Sequence, residues 1–186
     1  DLSGDSNPSE KKRAGMGGVA NMQALYMLVR AKEKKSCLEC GVSMGGSSYA
    51  ILKGLKDNKK GTLYSNDLPY LWMDDPLKDQ GILVPNDLKN RWQLFIGDDQ
   101  DNLPLIFSQM GSKDIDLAHY DSDKSYSART RFWEFLKPHL SEFCTIIFDD
   151  IVDNDHFYDL SSDLHSKWET YVVIDDQKLF GVIQRI

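Results

Sequence analysis

Three groups of residues in this sequence have types and spacing that suit chemistry. The first is Leu38-Glu39-Cys40-Gly41-Val42-Ser43-Met44-Gly45-Gly46-Ser47-Ser48. An apolar run ends in an acid, a glycine turn follows, and a helix can begin. In doubly wound sheets ligands sit at the carboxyl ends of the strands. Gly41, Gly45 and Gly46 would let the backbone approach such a ligand closely. An ordinary strand-to-helix turn is the plain alternative. The order is not the dinucleotide fingerprint, because Ser43 stands where its second glycine belongs. A carboxylate at Glu39 repels a pyrophosphate but suits an ammonium or a sulfonium. S-adenosylmethionine carries both cations and no phosphate.

The second group is a pair of later acids. Asp67 follows the next apolar run, where a carboxylate can accept both hydroxyls of a ribose or simply cap a turn. Asp98, in Gly97-Asp98-Asp99, follows the third run. Asp67-Leu68-Pro69-Tyr70 is superficially like a motif of DNA amino-group methyltransferases, but it follows the second strand rather than the fourth.

The third group is acidic: Asp121, Asp123, Asp149 and Asp150. If the strands before them are neighbours, they lie about 4.8 Å apart. Two carboxylates about 5 Å apart repel by about 3 kcal/mol at an effective dielectric of about 20. A hard divalent cation such as Mg²⁺ relieves this. So does solvation, with Asp123 and Asp153 or Asn154 capping helices. Of the imidazoles, His156 could overhang the cleft as a reserve base, and His119 is read as facing the opposite side of the sheet from Asp121. His139 and His165 read as structural or exposed. Cys37 and Cys40 form a C-x-x-C, but residues three apart on a strand face opposite sides and nothing completes a zinc site. Buried free thiols in a reducing cytosol are the better reading.

The elements that must position these residues follow from periodicity. Met22, Leu25, Tyr26 and Val29 fall at helical spacing from Ala20. Cys37 to Cys40 reads as a buried strand and Tyr49 to Lys56 as a helix. Thr62 to Ser65 is a strand, and a long Asp- and Pro-rich loop runs to about residue 90. Trp92 to Ile96 is a strand, Leu103 to Met110 a helix closed by Gly111, and Ile115 to Tyr120 a strand. Tyr126 to Leu136 is a helix, Cys144 to Phe148 a strand, and His156 to His165 a helix. Tyr171 to Ile174 and Leu179 to Ile186 read as a terminal antiparallel pair. This alternation predicts an α/β fold: a Rossmann-like doubly wound sheet of about seven strands, mostly parallel, with helices on both faces. Residues 1–18, rich in Gly, Ser, Lys and Asp, read as a flexible arm, and residues 19–186 as a single domain.

Composition bounds the partners. The chain has 186 residues, 41% hydrophobic and 11% aromatic, enough for one real core and against disorder. A net charge of −7 disfavours nucleic acid. No apolar run is long enough to span a membrane, and the start shows no signal-peptide pattern. A cytoplasmic protein with a small-molecule partner is the expectation, and whether it forms a homo-oligomer is left open.

Taken in order, these motifs resemble class I S-adenosylmethionine-dependent methyltransferases. The resemblance rests on Glu39-x-Gly41-x-Ser43-x-Gly45-Gly46-Ser47-Ser48, Leu63-Tyr64-Ser65-x-Asp67-Leu68-Pro69 and Trp92-x-Leu94-x-Ile96-Gly97-Asp98. Asp116-Leu117, Asp121-Ser122-Asp123-x-Ser125-Tyr126, Asp149-Asp150-Ile151 and Phe180-Gly181-Val182-Ile183 narrow it. They are similar to the subgroup called methyltransferase type 24, related to macrocycle and sugar O-methyltransferases and to cephalosporin-hydroxylase-like proteins. The resemblance implies that Glu39 and the Gly41–Gly46 loop, with Ser43 and Ser47, hold the methionine part, Asp67 the ribose, and Asp98 a place near the adenine. It implies Mg²⁺, where used, among Asp121, Asp149 and Asp150. The catalytic candidates are Asp121, Lys124 and His156, for transfer of a methyl group to a hydroxyl of a small molecule.

Two positions depart from the family. Lys124 stands where the family often has a histidine, and lysine is a poor base near neutral pH. A salt bridge to Asp121 or Asp123 is its plainer role. Ser141-Glu142-Phe143 stands where the family usually has a Gly-Gly turn. These departures motivate an alternative, a protein that binds the cofactor without transfer. A nicotinamide-dependent oxidoreductase is the third reading, opposed by Ser43 and Glu39.

Overall fold

The computed structural model describes residues 22–71, 74–111, 114–164, 166–175 and 178–186. The proposed arm, residues 1–18, lies outside them, as does His165. The chain alternates helix and strand: α1 (Met22–Ala31), β1 (Ser36–Cys40), α2 (Gly46–Asp57), β2 (Thr62–Asp67), β3 (Trp92–Ile96), α3 (Asp99–Met110), β4 (Ile115–Tyr120), α4 (Tyr126–Leu136), β5 (Leu140–Phe148), α5 (His156–Asp163), β6 (Trp168–Asp175) and β7 (Lys178–Arg185).

The strands form one sheet in the order β3-β2-β1-β4-β5-β7-β6. The first five are mutually parallel, whereas β7 runs antiparallel to both β5 and β6. The order reverses between β1 and β4, which in such sheets opens a crevice beyond the strand ends. The sheet is therefore the Rossmann-like, mostly parallel one that the alternation implies.

Strand β1 lies at the centre and is buried at every residue. Its even positions, Leu38 and Cys40, pack with Tyr120, Phe132, Phe148 and Phe157 on the face covered by α3, α4 and α5. Its odd position Cys37 packs with Leu25, Val29, Ile51 and Leu55 on the face covered by α1 and α2. The two thiols thus face opposite layers, as strand geometry requires, and both are free.

Several boundaries, and one helix cap, differ from the sequence reading. Helix α2 begins at Gly46, because Gly45 adopts φ +92° and turns the chain into it. Helix α3 begins at Asp99, because the Asp98 carboxylate accepts from Gln100 N at 2.8 Å and caps the first turn. Helix α4 is capped by Ser125, whose hydroxyl accepts from Ala128 N; Asp123 instead accepts from Ser125 N. Strand β5 begins at Leu140, so Ser141-Glu142-Phe143 is strand rather than turn. The exposed Glu142 and Phe143 hide that start from a hydrophobicity pattern. No helix among the described residues is long and apolar enough to cross a membrane.

Candidate functional site

Backbone bonds continue the parallel ladder beyond the strand ends. Gly41 N donates to Asn66 O at 2.8 Å, Gly97 N to Asp67 O at 2.9 Å, Asp121 N to Cys40 O at 2.7 Å and Asp149 N to Tyr120 O at 3.0 Å. One stitched row therefore carries Gly41, Asp67, Asp121 and Asp149 along the edge of the crevice. Gly41 needs its lack of a side chain: φ is +91°, and a Cβ would lie 2.3 Å from the Asp121 carbonyl oxygen.

The loop after β2 docks onto the glycine turn instead of standing clear. Gly81 N donates to Ser43 O and Leu83 N to Met44 O, each at 2.9 Å. Ser43 itself is left-handed at φ +52°. A side chain on Gly45 would strike the Gly81 backbone.

Glu39 is fully buried at the floor of this turn. Its oxygens accept hydroxyl protons from Ser47 and Ser48 at 2.6 Å and from Ser65 at 2.7 Å. The acid fastens the first turn of α2 to β2 and reaches the crevice through Ser47 and through its field. Because Gly45 offers no side-chain cap, the first N–H groups of α2 are left for other acceptors.

His119 corrects the sequence reading. It stands two residues before Asp121, and on a strand that places both on one side. Its cross-strand partner is Glu39, with Nδ1 3.8 Å from Glu39 Oε1. The imidazole is 2% exposed, and neither ring nitrogen has a hydrogen-bond partner among the described residues. Burial works against its protonation, but Glu39, Asp121 and Asp149 outweigh it and raise its pKa. Period-two counting along β4 was the signal that could have found it.

Asp67 ends β2 half-buried. Its Oδ2 accepts from Ser43 N at 2.9 Å, Gln80 Nε2 at 3.1 Å and Tyr70 hydroxyl at 3.3 Å, while Oδ1 accepts from Leu68 N at 3.1 Å. Burial raises its carboxyl above the usual range, although these donors oppose that shift. Oδ1 keeps acceptor capacity for a further donor. Asp98 lines a cavity of about 90 Å³ with Asp99, Tyr120, Ser122, Phe132 and Phe135. Asp99, which sequence reasoning passed over, is the more enclosed acid, and burial raises its carboxyl.

The acids after β4 and β5 come together. Asp121, Asp149 and Asp150 each bring an oxygen within 4.8 Å of the others, whereas Asp123 stays apart at its turn. Asp150 is strained, at φ +48°. Buried Arg129 of α4 holds that kink by donating to the Asp149 and Asp150 carbonyls, each at 2.9 Å. Lys124 pairs with Asp121 and, at 3.3 Å, with Asp150. Lys178 at the start of β7 lies 3.3 Å from Asp149 and 3.6 Å from Asp150; nothing local in the sequence announces it. Burial raises the Asp121 carboxyl against the pull of Lys124. Burial opposes ionisation of Asp149 too, but His119, Lys178 and Lys124 prevail and lower its pKa. Hard oxygens at this spacing fit Mg²⁺, and the two ammonium groups lie against the same three carboxylates.

His156 does not overhang the crevice. It is 4% exposed and packs against Phe148 and Tyr126, with ring centroids at 5.5 and 5.3 Å. Burial, with Arg129 nearby, lowers its pKa to about 4, from an ordinary 6.5. Such a group is a poor acceptor of a substrate proton at neutral pH, but it gives a pH dependence. Between about pH 6.5 and about pH 4 the unfolded chain binds the proton and the folded one does not. Stability therefore falls as pH falls through that window, by up to about 3 kcal/mol. In His156→Phe, urea unfolding at about pH 7 and about pH 4.5 should show a smaller loss than the parent protein. Equal losses would remove the imidazole from the acid response. A second cavity, about 440 Å³, opens beside Ile151, Val152, Phe157, Tyr158 and Tyr171, in the segment that follows Asp150.

Comparisons with known proteins agree with this architecture. The family described as "Methyltransferase domain" matches residues 38–151, which span the glycine turn, Asp67, Asp98 and the acid triad. No curated protein sequence matches the chain. The O-methyltransferase TomG of Streptomyces achromogenes, involved in tomaymycin synthesis and solved with SAM, superposes with a TM-score of 0.71 at 14% identity, over 99% of this chain and 92% of that one. An O-methyltransferase from Bacillus cereus solved with SAH gives 0.70 at 14% identity, over 100% and 94% of the two chains. A methyltransferase from Geobacter sulfurreducens gives 0.70 at 18% identity, over 100% and 93%. At such identities the structures establish a shared fold, while the family match covers more than half of the sequence. The chain belongs to the methyltransferase domain family.

Proposed function

We propose that this protein binds S-adenosylmethionine across the β1–β4 crevice and transfers its methyl group to a hydroxyl of a small molecule. The observation that carries the reading is the stitched row of strand ends. It sets a glycine turn between a ribose-competent carboxylate, Asp67, and the acids Asp121 and Asp149. The first N–H groups of α2 and Ser47 suit the methionine carboxylate. The field of Glu39 and Asp121 suits the ammonium and sulfonium, and Asp67 Oδ1 suits the ribose. The cavity beside Asp98 and Asp99 offers acceptors to the adenine amino group.

In transfer, the acceptor oxygen attacks the methyl carbon, the carbon–sulfur bond breaks, and the sulfonium becomes a neutral thioether. Aligning these atoms in line can contribute about 7–11 kcal/mol. The acceptor's proton must leave. Asp121, raised by burial, is better matched to that task than an ordinary carboxylate. Lys124 steadies the charge on Asp121 and Asp150. When bound, a divalent cation held by Asp121, Asp149 and Asp150 would polarise the acceptor oxygen. The tyrosine-lined cavity after Asp150 is our choice for the acceptor, and three free buried thiols suit the cytoplasm.

Calorimetry tests the reading. S-adenosylmethionine should bind, NADH should not, and Asp67→Ala should weaken binding about 10–100-fold, a loss of about 1.4–3 kcal/mol for the ribose bonds. Unchanged affinity in Asp67→Ala would overturn the assignment. EDTA should spare cofactor binding and slow transfer; unchanged turnover would remove the cation. Cofactor uptake with no product from a panel of hydroxylated acceptors would favour binding without transfer, a reading that the ties of Lys124 to Asp121 and Asp150 motivate.

A further inference from the structure

We infer that Lys178 is the resident cation of the acid triad, and that a divalent ion enters only in exchange for it. The inference rests on the proposal that Asp121, Asp149 and Asp150 form a cation site, and it concerns a residue that this proposal leaves without a role.

Lys178 comes from β7, which pairs antiparallel with β5 beside the triad. Its ammonium lies 3.3 Å from Asp149 Oδ2 and 3.6 Å from Asp150 Oδ1. It therefore bridges the two acids that follow β5, while Lys124 bridges Asp121 and Asp150. The two ammonium groups set among these three carboxylates largely neutralise the triad from within. A divalent ion on the same oxygens would meet the Lys178 ammonium at contact distance. Repulsion between like charges and competition for the same lone pairs make the two occupants mutually exclusive.

The geometry also separates the two lysines. Lys124 lies three residues from Asp121 on the same turn and is a candidate for handling the acceptor. Lys178 belongs to another element, and 39% of its side chain surface is exposed. It can withdraw into water without rearranging the β4–α4 turn. The Asp149 and Asp150 backbone stays fixed meanwhile, because Arg129 holds both carbonyls. The arrangement is a preformed anionic cage with a tethered, removable ammonium.

The test is Mg²⁺ and Mn²⁺ binding by calorimetry on the full chain without cofactor. Lys178→Met should bind Mg²⁺ about tenfold or more tightly than the parent protein, Lys178→Arg should remain like the parent, and adding Asp149→Asn to Lys178→Met should cancel the gain. Equal affinity in the parent and Lys178→Met, whether both bind or neither does, would overturn the inference. A measurement on the unmutated protein guards against misfolding of the variant. Reductive methylation followed by peptide mass spectrometry should show Lys178 modified several-fold faster in saturating Mg²⁺ than in EDTA. An unchanged rate would equally overturn it. Neither readout involves S-adenosylmethionine, so failure here leaves the cofactor reading standing.

Discussion

Glu39→Ala is expected to lower the unfolding free energy by about 3–5 kcal/mol and to abolish S-adenosylmethionine binding. The carboxyl is fully buried and accepts from three serine hydroxyls on two elements, Ser47 and Ser48 of α2 and Ser65 of β2. Removing it leaves the buried Ser48 and Ser65 hydroxyls and the half-buried Ser47 hydroxyl without their acceptor, and the His119 imidazole without the charge beside it. Each lost bond of this charged kind contributes about 1.5–3 kcal/mol, and their sum is less than additive. For a chain of this size the melting temperature should drop by roughly 10 °C. Glu39→Gln separates the two effects. It preserves the volume and one acceptor, so most of the stability should survive while the field at the crevice is lost. Differential scanning fluorimetry and calorimetry on both variants check this. Full cofactor affinity in Glu39→Gln would show that the buried charge contributes nothing to the ligand.

Gly41→Ala is expected to reduce cofactor affinity or turnover by about 100-fold or more, because it moves the site rather than removing a contact. Its Cβ would lie 2.3 Å from the Asp121 carbonyl oxygen and 3.0 Å from Ser122 N, both backbone atoms. Nothing flexible can yield there, since Asp121 N is bonded to Cys40 O at 2.7 Å. A residue with a side chain at φ +91° adds about 1–3 kcal/mol of strain. The ends of β1 and β4 must separate, and with them the glycine turn and Asp121. Gly111→Ala is the control: it shares the positive φ, and no atom of the described residues lies within 4 Å of its Cβ. It should cost stability through strain and leave cofactor affinity alone. Parent-like affinity in Gly41→Ala would mean that the crevice tolerates a wider gap than the stitched row implies.

The fold was legible wherever local pattern and burial coincide. Strands β3 and β4 and helix α4 begin and end where their apolar periods say, because each presents a face to one of the two cores. Helix α3 was read late because Asp99 to Asn102 are polar and its start depends on the Asp98 cap rather than on burial. Strand β5 was read late because Glu142 and Phe143 are exposed, so its first residues carry no alternation. Residues of the site that lie at strand ends were readable for the same topological reason: a parallel sheet delivers Glu39, Asp67, Asp98, Asp121 and Asp149 to one edge. Their partners were not. Ser65 reaches Glu39 from 26 residues away and Lys178 reaches Asp149 from 29 away, and no local spacing encodes such meetings. Arg129 was hidden similarly, as a basic residue on a helix that ordinarily would face water.

The layered placement of the cysteines has a practical consequence. Cys37 and Cys40 are sealed on opposite sides of the central strand, and burial pushes both thiols far up; burial also raises the Cys144 thiol of β5, to about 11. None is a competent nucleophile while the strand is covered. An alkylating reagent can modify both members of the pair only when both helical layers part, so the rate at which Cys37 and Cys40 are lost together is a built-in clock for whole-molecule opening, ready for comparing ligands or variants without any added label.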